Sequence, residues 1–398
     1  MPGRLRRSLR TTGTSEGDAV TNLELFFDLV YAFAFTQVTT LMTRERPPGS
    51  LLDGLIVLSL LWFSWCAFSW LANQARADRG ILQGAVILAM VAVFIACLAL
   101  PGAFRREPGA LSGATVVVAC YAVARVTHFG AYLVAAGDDG AVRRQVLVTM
   151  PASIVPTIAL LFAGAALGQP WQRPVWAGAV LYDFAAVFLT ANPNAGASDV
   201  GWAVRSAAHF AERYSLIVIL ALGESIVAIA VGLHDRPLSW KIALGALLAI
   251  LIAVGIYLAY FGRLLTAMED ALARAQGRER ARLGRDVFTY LHFPVIVGII
   301  FAALGIEQAM SHLDGGRLGA LGGWTLGGGV AVVLAGSAAL ALRSAGVRLR
   351  PRLFAAGLLV ALCAPLALLP PLPAVGVVAL VVLGSAAAEA RPAMPAAR

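Results

Sequence analysis

A chain of 398 residues with 59% hydrophobic and 13% charged side chains, and a mean hydropathy of +0.79, falls outside the ordinary soluble class, where about 25% of residues are charged. Its net charge of +9 would suit nucleic acid, but the arginines are distributed as for a lipid surface, so no nucleic-acid partner is expected. The four cysteines, Cys66, Cys97, Cys120 and Cys363, stand singly in apolar runs without a Cys-x-x-Cys pair, which argues against a disulfide framework or a thiolate metal centre.

Residues 1–19 form a basic tail carrying Arg4, Arg6, Arg7 and Arg10. Polar residues Thr11 to Asp18 stand where an export signal would need its apolar core, so the tail reads as a cytoplasmic arm facing the membrane. Twelve apolar runs follow, near 20–42, 51–72, 80–101, 111–135, 146–167, 174–192, 209–232, 240–263, 288–311, 323–342, 352–370 and 373–389. Each is close to the roughly 20 residues that cross a bilayer core. They are continuous, without two-residue alternation, so helices are expected rather than barrel strands. The predicted fold is an all-α, polytopic transmembrane bundle of about 10–12 spans. The range reflects Pro370-Pro371-Leu372-Pro373, which either turns a tight hairpin or breaks one segment.

The first run opens with Glu24 and Asp28, stacked on one helix face with Tyr31 and Phe35 continuing the stripe. Carboxylates in a spanning helix are costly unless paired, protonated or facing a wet cavity, which makes them candidates for proton or ion coupling. The fourth run carries Tyr121, Arg125, His128 and Tyr132 on one face. A buried arginine requires an anionic or carbonyl partner, and by depth Glu24 or Asp28 could supply it. His128 could shuttle protons, or bond a neighbouring helix backbone; the second role is favoured. Asp183 lies in the middle of the sixth run.

The seventh run holds Glu212, Arg213 and, near its centre, Glu224 in Leu222-Gly223-Glu224-Ser225. Gly223 would permit close helix approach or local unwinding, and Ser225 a bond across helices. Arg213 is about 16 Å along the axis from Glu224, too far to pair with it. Desolvation favours a neutral Glu224, ready to exchange its proton. His292 beside Pro294 and Glu307 late in the ninth run complete the candidates. Thus Glu24, Asp28, Glu224, Asp183 and Glu307 are coupling candidates, and Arg125, His128, Glu212, Arg213 and His292 are counter-charges or substrate contacts. The histidines are dispersed, so neither a metal nor another cofactor is expected.

With the N-terminus inside and twelve spans, 21 of the 31 lysines and arginines fall in inside segments and 8 in outside loops. That asymmetry predicts a bacterial inner-membrane protein with both termini cytoplasmic. The segment 264–286 becomes a charged cytoplasmic loop with a short amphipathic helix, and 390–398 a disordered tail. Glu24 to Thr36 can be laid on Glu212 to Glu224 at an offset of 188. This suggests a six-helix first half, 20–192, and a second, 193–389, as parallel pseudo-repeats.

Two long motifs carry a family resemblance: Glu24-Leu25-Phe26-Phe27-Asp28-Leu29-Val30-Tyr31-Ala32-Phe33-Ala34-Phe35-Thr36-Gln37, and His209-Phe210-Ala211-Glu212-Arg213-Tyr214 running on to Leu222-Gly223-Glu224-Ser225-Ile226. Ala124-Arg125-Val126-Thr127-His128 and Leu291-His292-Phe293-Pro294 add support. In these the chain resembles the bacterial low-temperature-requirement A proteins. The resemblance implies a polytopic membrane protein and supplies no catalytic residues. A fainter likeness, Phe26-x-Asp28-x-Val30-x-Ala32-x-Ala34-x-Thr36, is to a potassium-channel family built from six-helix repeats.

The leading expectation is a proton-coupled secondary transporter or ion-translocating protein of unknown small solute or ion, linked through the resemblance to growth at low temperature. A cation channel and a membrane-embedded lipid-modifying enzyme are the alternatives. The enzyme is disfavoured because no metal cluster, paired-aspartate motif or nucleophile motif is present. Lipid is the expected partner, with homo-oligomerisation left open.

Overall fold

The computed structural model describes residues 14–16, 18–44, 48–105, 111–190, 204–233 and 236–390. The expected arginine-bearing part of the basic tail and the C-terminal tail from 391 lie outside them. Among the described residues the chain is all-α, without a strand. We number the helices α1 Asn22–Arg44, α2 Gly49–Gln74, α3 Gly80–Ala99, α4 Gly113–Ala136, α5 Gly140–Leu167, α6 Gln172–Thr190, α7 Ala207–Leu233, α8 Trp240–Phe261, α9 Leu264–Arg274, α10 Gly277–Leu283, α11 His292–Ser311, α12 Gly319–Ala345, α13 Arg350–Leu368 and α14 Pro371–Ala390. A 3-10 turn, Leu100–Gly102, follows α3, and a π-helical segment, Gly284–Leu291, leads into α11.

Eleven helices are long and apolar enough to cross a membrane. Helix α6 is not among the eleven, although its 19 residues match the sixth apolar run; Arg173 and Asp183, both used in ion pairs, make it more polar. The proline-rich junction near 370 is a tight hairpin, with α13 ending at Leu368 and α14 starting at Pro371. The charged loop forms two short helices, α9 and α10. Leu264, Met268 and Leu272 on α9 are buried one turn apart, which orders that segment through its apolar stripe.

The chain divides into two compact units, residues 1–216 with 272–285, and residues 217–271 with 286–398. In the first unit α2 is the most enclosed helix, with 83% of its central window buried. Pro156 inside α5 lacks an N–H, which leaves the Ala152 carbonyl without its helical donor. The Tyr182 hydroxyl of α6 donates to that carbonyl at 2.7 Å, satisfying a polar group that hydrocarbon could not. At the other end of α2, Asp53 takes both arms of the Arg173 guanidinium, at 2.6 and 2.7 Å.

In the second unit small residues let α11 and α12 meet backbone to backbone. A Cβ at Gly298 would stand 2.7 Å from the Gly329 carbonyl oxygen, and one at Gly329 would collide with the Ala302 backbone. Gly329→Val is therefore expected to destabilise the protein by about 1–3 kcal/mol. Gly357→Ala, where a Cβ meets nothing within 4 Å, should leave thermal melting in detergent unchanged. Arg352 on α13 and Glu389 on α14 close the hairpin with two 2.7 Å contacts.

Candidate functional site

The start of α1 is shaped by Thr21-Asn22-Leu23-Glu24. The Thr21 hydroxyl faces the Glu24 N–H at 3.4 Å, and the Glu24 carboxylate returns to the Thr21 N–H and hydroxyl, each at 2.8 Å. This reciprocal cap pins Glu24 at the helix entrance, with the positive end of the helix dipole favouring its charge. Helix α7 starts with one half of that arrangement, its His209 N–H bonded to the Ser206 hydroxyl at 3.2 Å. The two helix entrances meet, and four ionisable groups come together there.

Arg213 grips Asp28 with both terminal nitrogens, at 2.9 and 3.0 Å. Its Nε lies 3.9 Å from Glu24. The Trp65 indole N–H of α2 donates to Asp28 at 2.8 Å, and the Arg213 guanidinium carbon lies 5.5 Å from that ring's centre. His209 Nε2 stands 3.1 Å from Glu24 Oε1. Glu24, Asp28, His209 and Arg213 are all buried, Asp28 and Arg213 only 1% exposed. Two carboxylates thus face one guanidinium and one imidazole. With a neutral imidazole the formal charge is one negative in excess, a state that burial penalises unless a proton or helix dipoles compensate.

Arg125 does not reach Glu24 or Asp28, contrary to the expectation from depth. It pairs with Asp183 of α6 at 3.2 Å and with Ser153 of α5 at 3.1 Å. Tyr121 donates to the other Asp183 oxygen at 3.2 Å, and Ser153 donates to the first. One acid meets one guanidinium, so this second cluster is already neutral. Asp28 is unavailable to Arg125 because Arg213 already holds both of its oxygens. His128 bonds the Ala67 backbone and packs between the rings of Phe68 and Tyr132.

Glu212, one residue before Arg213, points the other way; it is exposed and accepts from the Val20 N–H at 3.2 Å. Glu224 is buried and Glu307 half-buried, both in the second unit. The local expectations at Glu224 do not hold. Helix α7 is continuous through Gly223, where a Cβ would meet nothing within 4 Å, and the buried Ser225 hydroxyl has no hydrogen-bond partner among the described residues. His292 is fully buried in the second unit. Its Nδ1 donates to the Val287 carbonyl at 2.8 Å, so its Nε2 accepts from the Tyr260 hydroxyl at 2.7 Å.

Sequence reasoning missed His209, Trp65 and Asn73 as members of the first cluster, and the Asp53–Arg173 pair. The Thr21-x-x-Glu24 spacing is a readable capping signature for the Glu24 end. Nothing local predicts Trp65 against Asp28, or Asp53 against a residue 120 positions away. Outside the spanning segments, in the turn after α2, the Arg76 guanidinium beside Asp78 holds that carboxyl below the usual carboxylate range. A cavity of about 30 Å³ in the first unit is lined chiefly by apolar residues such as Val57, Leu61, Val93 and Val117, together with Ser64 and Tyr121.

Among proteins of known sequence, an uncharacterized protein of Rhizobium meliloti (strain 1021) is 26% identical over 298 residues, which cover 73% of this chain and 69% of that protein. No solved structure matches the chain. The family model described as bacterial low temperature requirement A protein (LtrA) matches residues 19–387, from just before the Thr21–Glu24 cap to the last spanning helix. The match takes in both buried clusters and nearly every described helix, and the chain therefore belongs to the bacterial LtrA family.

Proposed function

We propose that this LtrA-family membrane protein is a proton-coupled secondary transporter or ion-translocating protein of the bacterial inner membrane, with both termini cytoplasmic and a role in growth at low temperature. The observation that carries this reading is the charge count at the meeting of α1 and α7: two buried carboxylates against one guanidinium. A buried site with one negative charge in excess can take up and release a single proton at small structural cost, which is the elementary act of proton coupling. Asp28 and Glu24 are the titrating acids, and Arg213 sets their electrostatics. The neutral Arg125–Asp183 pair holds α4, α5 and α6 together. Glu224 is a further coupling group deeper in α7, and Glu307 a weaker candidate in α11. A passive pore gains no support from the one described cavity of the first unit, since an apolar space of about 30 Å³ stays dry.

The test needs no knowledge of the solute. Full-length protein in liposomes on a solid-supported membrane is given a pH jump, and the charge displaced by proton binding is recorded. Wild type should give a transient current. In Asp28→Asn combined with Glu24→Gln the current should fall to that of protein-free liposomes, and in Glu224→Gln it should be reduced. Equal currents from wild type and all variants would remove proton handling from this site.

A further inference from the structure

Asn73, in the last turn of α2, is completely buried between that helix end and the entrance of α7. Its side-chain oxygen accepts from two backbone N–H groups, Arg205 at 2.7 Å and Ser206 at 3.4 Å. Turning the carboxamide over would aim its own N–H groups at those two donors, so its orientation is settled by the backbone around it. The amide nitrogen must then donate. One of its hydrogens goes to the Ser206 carbonyl at 2.8 Å, and the nitrogen faces His209 Nδ1 at 3.5 Å. A ring nitrogen that faces an amide donor is the unprotonated one. The single proton of a neutral His209 therefore sits on Nε2, where Glu24 Oε2 is the hydrogen-bond acceptor at 3.4 Å.

We infer that Asn73 is a positioning residue that fixes His209 as the Nε2–H tautomer, so that the imidazole serves Glu24 as a hydrogen-bond donor and the exchangeable proton of the cluster resides on a carboxyl group instead of on the ring. The charged group against the ring is Glu24 from α1; Arg213, one turn further along α7, lies beside Glu24 and holds Asp28, and Glu212 points away to Val20. Asn73 and Ser206 together also tie the end of α2 to the start of α7, so the tautomer is locked by the same bonds that seat the helix. In chemical terms His209 is a fixed donor, and a carboxylate relieved of its charge by a proton loses the reason to hold that donor. The consequence for translocation rests on the proton-coupling reading above; the tautomer itself does not.

The experiment is magic-angle-spinning NMR of the full chain in liposomes at neutral pH with ¹⁵N-labelled histidine. The protein has five histidines, and the His209 signals are those lost in His209→Gln. Wild type should show His209 protonated at Nε2 and bare at Nδ1. In Asn73→Asp a carboxylate can still accept from the Arg205 and Ser206 N–H groups, but it attracts a proton to the facing ring nitrogen, so the Nδ1 signal should move into the protonated range. Asn73→Ser, which removes the donor without adding a charge, should give a mixture of tautomers. A wild-type His209 protonated at Nδ1, or an Nδ1 signal identical in wild type and Asn73→Asp, would overturn the inference, and the assigned wild-type spectrum decides it even if the Asn73 variants do not fold. Absence of a pH-jump current with the predicted tautomer present would instead strike at proton coupling alone.

Discussion

Arg213→Met should destabilise the protein by about 3–5 kcal/mol, the usual result of leaving a buried charge without its partner. Methionine fills much of the arginine's volume, so packing loss is small and the effect is electrostatic. Asp28 would retain only the Trp65 N–H, at 2.8 Å, and Glu24 would stand close by with the same sign of charge. The measurement is thermal unfolding of the detergent-solubilised protein, followed by intrinsic fluorescence. Adding Asp28→Leu to Arg213→Met should recover most of the lost stability, because an apolar pair of similar size replaces both charges. That double variant, with Glu24→Gln added to remove the remaining acid, should nevertheless stay silent in the pH-jump assay. A single variant that melts with wild type would mean that Asp28 carries no charge opposite Arg213, and the charge count behind the proposed function would fail.

The second large effect is expected at Asp183. In Asp183→Leu, Arg125 keeps only Ser153, at 3.1 Å, and Tyr121 loses its acceptor, so a loss of about 3–5 kcal/mol is again expected. Arg125→Leu with Asp183→Leu should restore stability to within about 1 kcal/mol of wild type or better. Here the double variant should keep its pH-jump current. The two double variants together separate a site that exchanges a proton from a pair that only sets helix register. If both lose the current, the neutral cluster also lies on the proton's route; if both keep it, neither cluster does.

Much of this was readable along the chain. Helix α1 declares itself through a polar cap, two acids one turn apart and a continuous apolar run, and its acids do occupy a buried cluster. Tyr121 and Arg125, one helical turn apart on α4, share a single acidic partner. Such features are legible because helical periodicity converts sequence spacing into a shared face, and because hydrocarbon forbids an unpaired charge. The same rules could not choose among partners. Depth pointed Arg125 to Glu24 or Asp28, whereas its partner is Asp183. Gly223 and Ser225 looked like a contact point from sequence, yet α7 has open space at one and no hydrogen-bond partner at the other among the described residues.

The amino-acid sequence by itself determined that this is a helical membrane protein of many spans, and that α1, α4 and α7 carry costly side chains, since hydropathy and periodicity are local properties of a chain. Only the tertiary structure decided which acid neutralises which arginine. That Asp28 belongs to Arg213 and Asp183 to Arg125 follows from how helices rotate about their own axes when they pack, and side chains from the whole bundle set that rotation. The same packing turned Glu212 outward and brought His209, Trp65 and Asn73 inward around Glu24 and Asp28, leaving one cluster with two acids to one guanidinium and the other a balanced pair.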